Sequence, residues 1–545
     1  MGAIMHRRGL LLGAGGLAGA TLLWTPAAAQ ARTPVVRTSF GPVRGIVQEG
    51  VNVFKGVRYA APPVGPLRFK PPEPPKAWTE PVDAIAYGAP AVQMYSRPSG
   101  EAQSALGRSL AEVFPTARET REGREDCLFL NVWTRGLGDS KQRPVMVWFH
   151  GGGYAYGSGG WPMYEGLGLA RKGDVVVVTV NHRLNAFGYT YLAEAMGEAY
   201  DKSGNAGLLD LIAVLQWVRD NAEAFGGDPG NVTIFGESGG GAKVSTLMAT
   251  PAAKGLFHKA IVQSGPGLTG VPKEAAARNA EMLLAELGIA KGDTAALQAV
   301  PAEAIIKAAY AAQAKAVTQP GTRFGLAPVV DGLVLPRDPF TPDAPPQSAD
   351  IPLLIGTTKD EMTLFMASEP WFGKLTEAEL VERTRQQAGP RADAVLAALR
   401  KVHPDYSPTY LFTAFATATG MLGRSITLAE RKAAQKGAPV WMYRLDWETP
   451  VGNGVFKSPH TLEIPLVFDR VETNRAFVGP GPEPQALADQ MSAAWLAFAR
   501  SGNPSTPALP AWPPYEVERR ATMIFDLQSR VENDPTPELR MALAA

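Results

Sequence analysis

Val232-Thr233-Ile234-Phe235-Gly236-Glu237-Ser238-Gly239-Gly240 decides how this chain is read. Four strand-forming residues run into a G-x-S-x-G pattern, and residues 242–248 beyond it are compatible with a helix. In a chain with 57 glycines, that pattern alone would be only a glycine-rich turn. The strand before it and the helix after it give it chemical meaning. A serine on a sharp strand-to-helix turn is lifted above the edge of a sheet, with helix N-terminal amides beside it. Glycines two residues to either side let strand and helix pass closely. Ser238 is therefore the candidate nucleophile.

The pattern extends outward on both sides. Val145-Met146-Val147-Trp148-Phe149-His150 is a continuous apolar run that ends at Gly151-Gly152-Gly153, and residues 175–180 form another. Such runs fit strands buried on both faces of a mostly parallel sheet. Ala260-Ile261-Val262 and Pro352-Leu353-Leu354-Ile355 read as further strands. Between residues 206 and 225, Leu208, Leu211, Ile212, Leu215 and Val218 recur at helical spacing. Alanine-rich helical stretches occupy 273–317 and 376–401. A helix over 485–500 gathers Leu487, Met491, Trp495 and Phe498 on one face. Residues 34–80 hold short strands and turns with a proline-rich stretch. Strands alternating with helices predict one α/β domain over 32–545, with a central, mostly parallel sheet flanked by helices and large helical insertions.

A serine at its ordinary pKa is a poor nucleophile and needs a base. Of the six histidines, His460 follows the chain order nucleophile, acid, base. His6 lies near the start, and His150, His182, His258 and His403 sit beside strands, loops or a helix end that give them other work. The acid must orient the imidazole without taking its proton. The strand over 352–355 runs into Gly356-Thr357-Thr358-Lys359-Asp360-Glu361, and spacing does not separate Asp360 from Glu361. An oxyanion needs preorganised N–H donors. The loop His150-Gly151-Gly152-Gly153 offers Gly152 and Gly153, and Gly239 offers a third.

Composition sets the outer limits. The chain has 545 residues, 45% apolar and 19% charged, so it can bury a large core. Lys+Arg is 53 against 52 Asp+Glu, with no basic stripe, which argues against a nucleic-acid partner. One cysteine, Cys127, excludes an intrachain disulfide, a Cys-rich zinc site and an iron–sulfur cluster. Neither metal nor organic cofactor is expected. Residues 1–31 read as a signal peptide: His6-Arg7-Arg8-Gly9-Leu10-Leu11 is twin-arginine-like, and an apolar Gly/Ala run leads to small-residue cleavage sites after Ala29 or Ala31. The run is shorter than the roughly 20 residues that span a bilayer. Removal of the signal takes the net charge from +1 to −1. The expectation is export to the periplasm or medium, with no stable membrane insertion afterwards.

Several longer motifs carry a resemblance. Phe54-Lys55-Gly56-Val57-Arg58-Tyr59-Ala60-Ala61-Pro62-Pro63, Glu125-Asp126-Cys127-Leu128-Phe129-Leu130-Asn131-Val132, Phe225-Gly226-Gly227-Asp228-Pro229 and Gly236-Glu237-Ser238 occur in the order of the type-B carboxylesterase/lipase family. Trp495, Phe498, Gly502-Asn503-Pro504 and Trp512-Pro513 resemble its C-terminal pattern. The resemblance implies an α/β-hydrolase fold whose helical insertions cap the pocket. It also implies hydrolysis of small carboxylic esters through an acyl-enzyme, with Ser238, Glu361 and His460 as triad. It selects Glu361 over Asp360 and places the oxyanion donors at Gly152, Gly153 and Gly239.

Some positions depart from that pattern. Gly239 stands where the family usually has alanine, and Met362 where it commonly has glycine. Val92 stands where relatives carry the cysteine that pairs with the one like Cys127, so the loop over 93–126 is expected to be more mobile here. The segment lacks the tryptophan that binds choline in cholinesterases, which argues against choline esters. A lipase and a detoxifying esterase for a bulky polar ester remain within the same chemistry. A non-catalytic binding module is the alternative of another class, disfavoured by the complete triad.

Overall fold

The computed structural model describes residues 31–93, 122–318 and 324–544. The signal segment 1–31, apart from Ala31, lies outside these residues, as does most of the loop over 93–126. Twelve strands form one continuous sheet: β1 (Arg32–Arg37), β2 (Pro42–Gln48), β3 (Val51–Arg58), β4 (Phe129–Thr134), β5 (Arg143–Phe149), β6 (Val176–Val180), β7 (Gly227–Glu237), β8 (Lys259–Gln263), β9 (Leu353–Thr358), β10 (Val440–Leu445), β11 (Ala521–Phe525) and β12 (Arg530–Asn533). Their order across the sheet is β1-β2-β3-β4-β6-β5-β7-β8-β9-β10-β11-β12, and the two residues Val82–Asp83 add a small strand on β2. From β6 to β11 every neighbour is parallel. The antiparallel strands lie at the two ends.

The main helices are α1 (Ala206–Asn221), α2 (Gly239–Met248), α3 (Lys273–Leu287), α4 (Ala302–Thr318), α5 (Glu377–Ala388), α6 (Ala392–Val402), α7 (Pro408–Thr417), α8 (Gly423–Ala433) and α9 (Glu483–Ser501). Two of them explain why the strands read as unbroken apolar runs. Val145, Val147 and Phe149 of β5 pack with Leu208, Leu211 and Leu215 of α1. Met146 and Trp148 point the other way and pack with Leu487, Met491, Trp495 and Phe498 of α9. Alternate residues thus meet helices on opposite faces. Each large apolar side chain buried in this way contributes about 1.5–3 kcal/mol.

The helical insertions form smaller cores of their own. Leu283 and Leu284 of α3 pack with Ile305 and Ile306 of α4. Leu380, Leu396, Leu399, Phe412 and Phe415 join α5, α6 and α7. Both alanine-rich stretches are broken. After α3, Gly288 takes a left-handed φ of 66°, which ends a helix without a Cβ penalty. Between α5 and α6, Gly389-Pro390 interrupts the helix. Thr376 starts α5 with a capping box shared with Glu379. No described helix is long and apolar enough to cross a membrane.

Candidate active site

Ser238 stands on the turn between β7 and α2, with φ 57° and ψ −122°. That conformation is strained for a residue with a side chain. The Ser238 N–H donates to the Gln263 carbonyl at 2.8 Å, which ties the turn to β8. The flanking glycines are sterically required. A Cβ on Gly236 would stand 2.6 Å from the Phe149 carbonyl oxygen, and one on Gly240 would overlap that oxygen. Phe149 pairs with Gly236 across the sheet, so the loop after β5 and the serine turn leave the sheet side by side. The chain leaves β5 toward β6 on one side and β7 toward β8 on the other. This is the switch point where parallel sheets open a crevice at their carboxyl ends.

The loop after β5 carries Gly152 at φ 81° and Gly153 at φ 61°. His150 holds its start: Nδ1 is hydrogen-bonded to the Gly151 carbonyl at 2.9 Å, and the ring stacks on His182 at 4.9 Å. Burial, helped by the Lys243 ammonium, pushes His150 down to about 3, so the ring is neutral. Lys243 of α2 is buried and donates to the carbonyls of His150 at 3.0 Å and Gly153 at 2.8 Å.

His460 lies in the segment after β10. Its Nδ1–H donates to Glu361 Oε2 at 2.5 Å, across 99 residues of chain. Glu361 follows β9 and also accepts from the Thr358 N–H through Oε1 at 2.9 Å. Asp360 is turned elsewhere: it accepts from the Tyr406 hydroxyl at 2.8 Å and from the Ser458 N–H at 3.3 Å. The geometry thus separates two carboxylates that spacing left equivalent. His460 Nε2 lies 3.1 Å from Glu237 Oε1, though not in hydrogen-bond geometry. Among the described residues no hydrogen bond joins Ser238 Oγ to His460.

Three buried carboxylates surround this imidazole. Burial works to lower His460, but Glu237, Glu361 and Glu463 outweigh it and hold it up at about 9. Burial pushes Glu237 well above the usual carboxylate range and Glu463 up to about 7. Glu463 accepts weakly from Gln263 at 3.4 Å and Ser264 at 3.3 Å. The other described histidines have structural partners. His182 Nδ1 bonds to the Arg183 carbonyl, His258 accepts from the Val232 N–H, and His403 stacks on Tyr406. Among the described residues no group of three or more His, Cys, Asp or Glu could hold a metal.

Two cavities meet at Ser238. One, of about 340 Å³, holds Gly152, Glu237, Ser238 and His460 and is walled by Tyr156, Trp161, Met163, Tyr164, Leu364 and Phe365. The other, of about 420 Å³, holds Gly153, Ser238 and Gly239 and reaches Met362, Met421 and Arg424. The insertions over 365–435 also hold Met366, Trp371, Phe372, Phe412, Phe415 and Met421, apolar residues of the kind that line pockets. Of these only Met421 lines either cavity, while Phe372, Phe412 and Phe415 belong to the cores. The aromatic wall was missed. Its one available signal was position: Trp161, Met163 and Tyr164 follow closely on the glycine loop.

Residues 32–540 match the model of the carboxylesterase family. The chain is 40% identical over 517 residues to the para-nitrobenzyl esterase of Bacillus subtilis (strain 168), covering 93% of this chain and 98% of that protein. It is 34% identical over 523 residues to the fumonisin B1 esterase of Sphingopyxis macrogoltabida, covering 94% and 89%. A solved Geobacillus stearothermophilus carboxylesterase superposes with a TM-score of 0.79 at 41% identity, covering 93% of this chain and 99% of that one.

Proposed function

This chain belongs to the carboxylesterase family and is a carboxylic ester hydrolase, and from that premise we propose that Ser238 is its nucleophile, His460 its general base and Glu361 the carboxylate that orients the base. Gly152, Gly153 and Gly239 supply the oxyanion N–H groups. The observation that carries this reading is the meeting of Ser238 and His460 on one cavity wall, with Glu361 behind the imidazole at 2.5 Å.

In this reading the imidazole takes the Ser238 proton as Oγ attacks the ester carbonyl. The carbonyl oxygen becomes an oxyanion held by the three glycine amides. His460 then protonates the leaving alcohol, and a water that it deprotonates releases the acid from the acyl-serine. Glu361 stabilises the imidazolium without accepting its proton. A base must be neutral to act. Because the surrounding carboxylates raise His460, the acid limb of the rate should lie above the usual histidine range near 6.5. A fluorophosphonate probe should label wild-type protein at Ser238 and leave Ser238→Ala unlabelled. Wild-type protein that takes no label would refute the assignment and restore the binding-module alternative.

The aromatic cavity favours a flat or bulky apolar group on one side of the ester. A second reading concerns the other side. Arg424 is exposed and lines the second cavity. It favours esters that carry a polar or anionic group there. One relative is named for a para-nitrobenzyl ester and another for fumonisin B1, so aryl esters and bulky polar esters are the two classes to screen. A lipase would instead show a jump in rate above substrate micelle formation.

The proposal includes export. The twin-arginine-like start and the apolar run of residues 9–23 support a cleaved signal, with the catalytic domain over 32–545 crossing the membrane folded. N-terminal sequencing of protein recovered outside the cytoplasm should begin after Ala29 or Ala31. A start at Met1 would refute cleavage.

A further inference from the structure

The chemistry above has no use for the ammonium on α2. Lys243 lies five residues after Ser238 and is wholly buried. Burying a cation is costly unless its surroundings repay it. Its partners are two backbone carbonyls, Gly153 at 2.8 Å and His150 at 3.0 Å, and the Tyr154 ring at 5.3 Å. All three partners belong to the loop after β5. Burial pushes the ammonium down to about 7, with Glu237 opposing.

The opposite side of the same loop shows a matching feature. A methyl group on Gly239 would overlap the Gly153 carbonyl oxygen and stand 2.5 Å from the Gly153 Cα and nitrogen. An alanine after the nucleophile therefore does not fit here. Gly153 is pressed against the first turn of α2 at Gly239 and tied to the second turn by Lys243. Gly152 and Gly153, both at positive φ, have wide conformational freedom unless something holds them. Oxyanion donors act through being held in place before the charge develops.

We infer that Lys243 is a positioning residue for ester hydrolysis: it clamps the 150–153 loop onto the serine turn so that the Gly153 and Gly239 amides converge, and Gly239 is the space that this clamp requires. The inference rests on the assignment of Ser238 as nucleophile and of the glycine loop as oxyanion hole.

Lys243→Met keeps the length and bulk and removes the donor. Its kcat on p-nitrophenyl acetate, counted per serine labelled by a fluorophosphonate, should fall at least about tenfold, with KM within about twofold. A trifluoromethyl ketone, whose adduct with the serine carries an oxyanion, should lose affinity by the same factor as kcat/KM. A role in stability alone would lower Tm and the labelled fraction but leave the rate per labelled serine unchanged. Gly239→Ala should cost about tenfold in the wild-type background and markedly less in Lys243→Met, where the loop is free to move away. Wild-type kcat per labelled serine in Lys243→Met overturns the inference. So does full activity in Gly239→Ala, or an equal cost of Gly239→Ala in both backgrounds. If Lys243→Met does not fold, full activity in Gly239→Ala still overturns the inference. Full rate in Ser238→Ala would overturn the nucleophile assignment and this inference together, whereas the other outcomes strike the clamp alone.

Discussion

The two sides of the site are built differently. The reacting groups stand at the ends of parallel strands: Ser238 after β7, the glycine loop after β5 and Glu361 just past β9. Two of them are hydrogen-bonded to the sheet, Ser238 through Gln263 and Glu361 through Thr358. The cavity walls come from elsewhere. Trp161, Met163 and Tyr164 lie on the crossover between β5 and β6. Leu364 and Phe365 lie on the five-residue helix Met362–Met366, and Arg424 on α8. The sheet fixes the geometry that every ester meets, while the insertions differ in what they offer each ester. Changes on the sheet side should therefore cost every substrate alike, and changes on the insertion side should cost some substrates more than others.

The largest test is Ser238→Ala, which should lower kcat by roughly 10⁶ on all esters in a panel. A loss that varied strongly with the ester would break the division at its centre. Glu361→Gln leaves the shape and removes the charge that holds the imidazole, and kcat should fall by about 10⁴, again uniformly. Titration sharpens the comparison further. Glu237 is among the carboxylates that raise His460. In Glu237→Gln the imidazole should lose its proton at lower pH, so the acid limb of kcat/KM should move down. An unmoved or raised limb would show that Glu237 does not act on His460. On the insertion side, Leu364→Ala should raise KM by roughly tenfold for esters with a bulky apolar group and little for acetates. The smallest effect belongs to Arg424→Ala. It should lower kcat/KM a few-fold, about the value of one partly exposed charge contact, for an ester with a carboxylate relative to its uncharged analogue. High salt should shrink that preference in the wild-type enzyme.

The same division explains what was legible in the residues. The strand ends announce themselves because apolar runs stop at glycines: Phe149 before Gly151, Phe235 before Gly236. Both the sheet and Ser238 follow from this. His460 followed from chain order and from the other histidines having local work. Asp360 and Glu361 were inseparable because the choice depends on which way each side chain turns. Only the fold supplies Tyr406 and Ser458 for one and His460 for the other. The walls were illegible for a related reason. Phe412 and Phe415 have the composition of a pocket lining but fill a core among α5, α6 and α7. Lys243 gave no signal either, because its partners lie some 90 residues away in the chain.

The placement of His460 has a consequence for how activity is acquired. Its carboxylate partner is 99 residues earlier, and Gln263, which anchors the serine turn, accepts a hydrogen bond from the Trp495 indole across 232 residues. Contacts of such span form late, because long loops must close before they are rewarded. A chain halted partway through synthesis can hold much of its sheet and no working site. Ester hydrolysis after dilution from denaturant should therefore return only once these long-span contacts have closed, and the first turnover reports that closure.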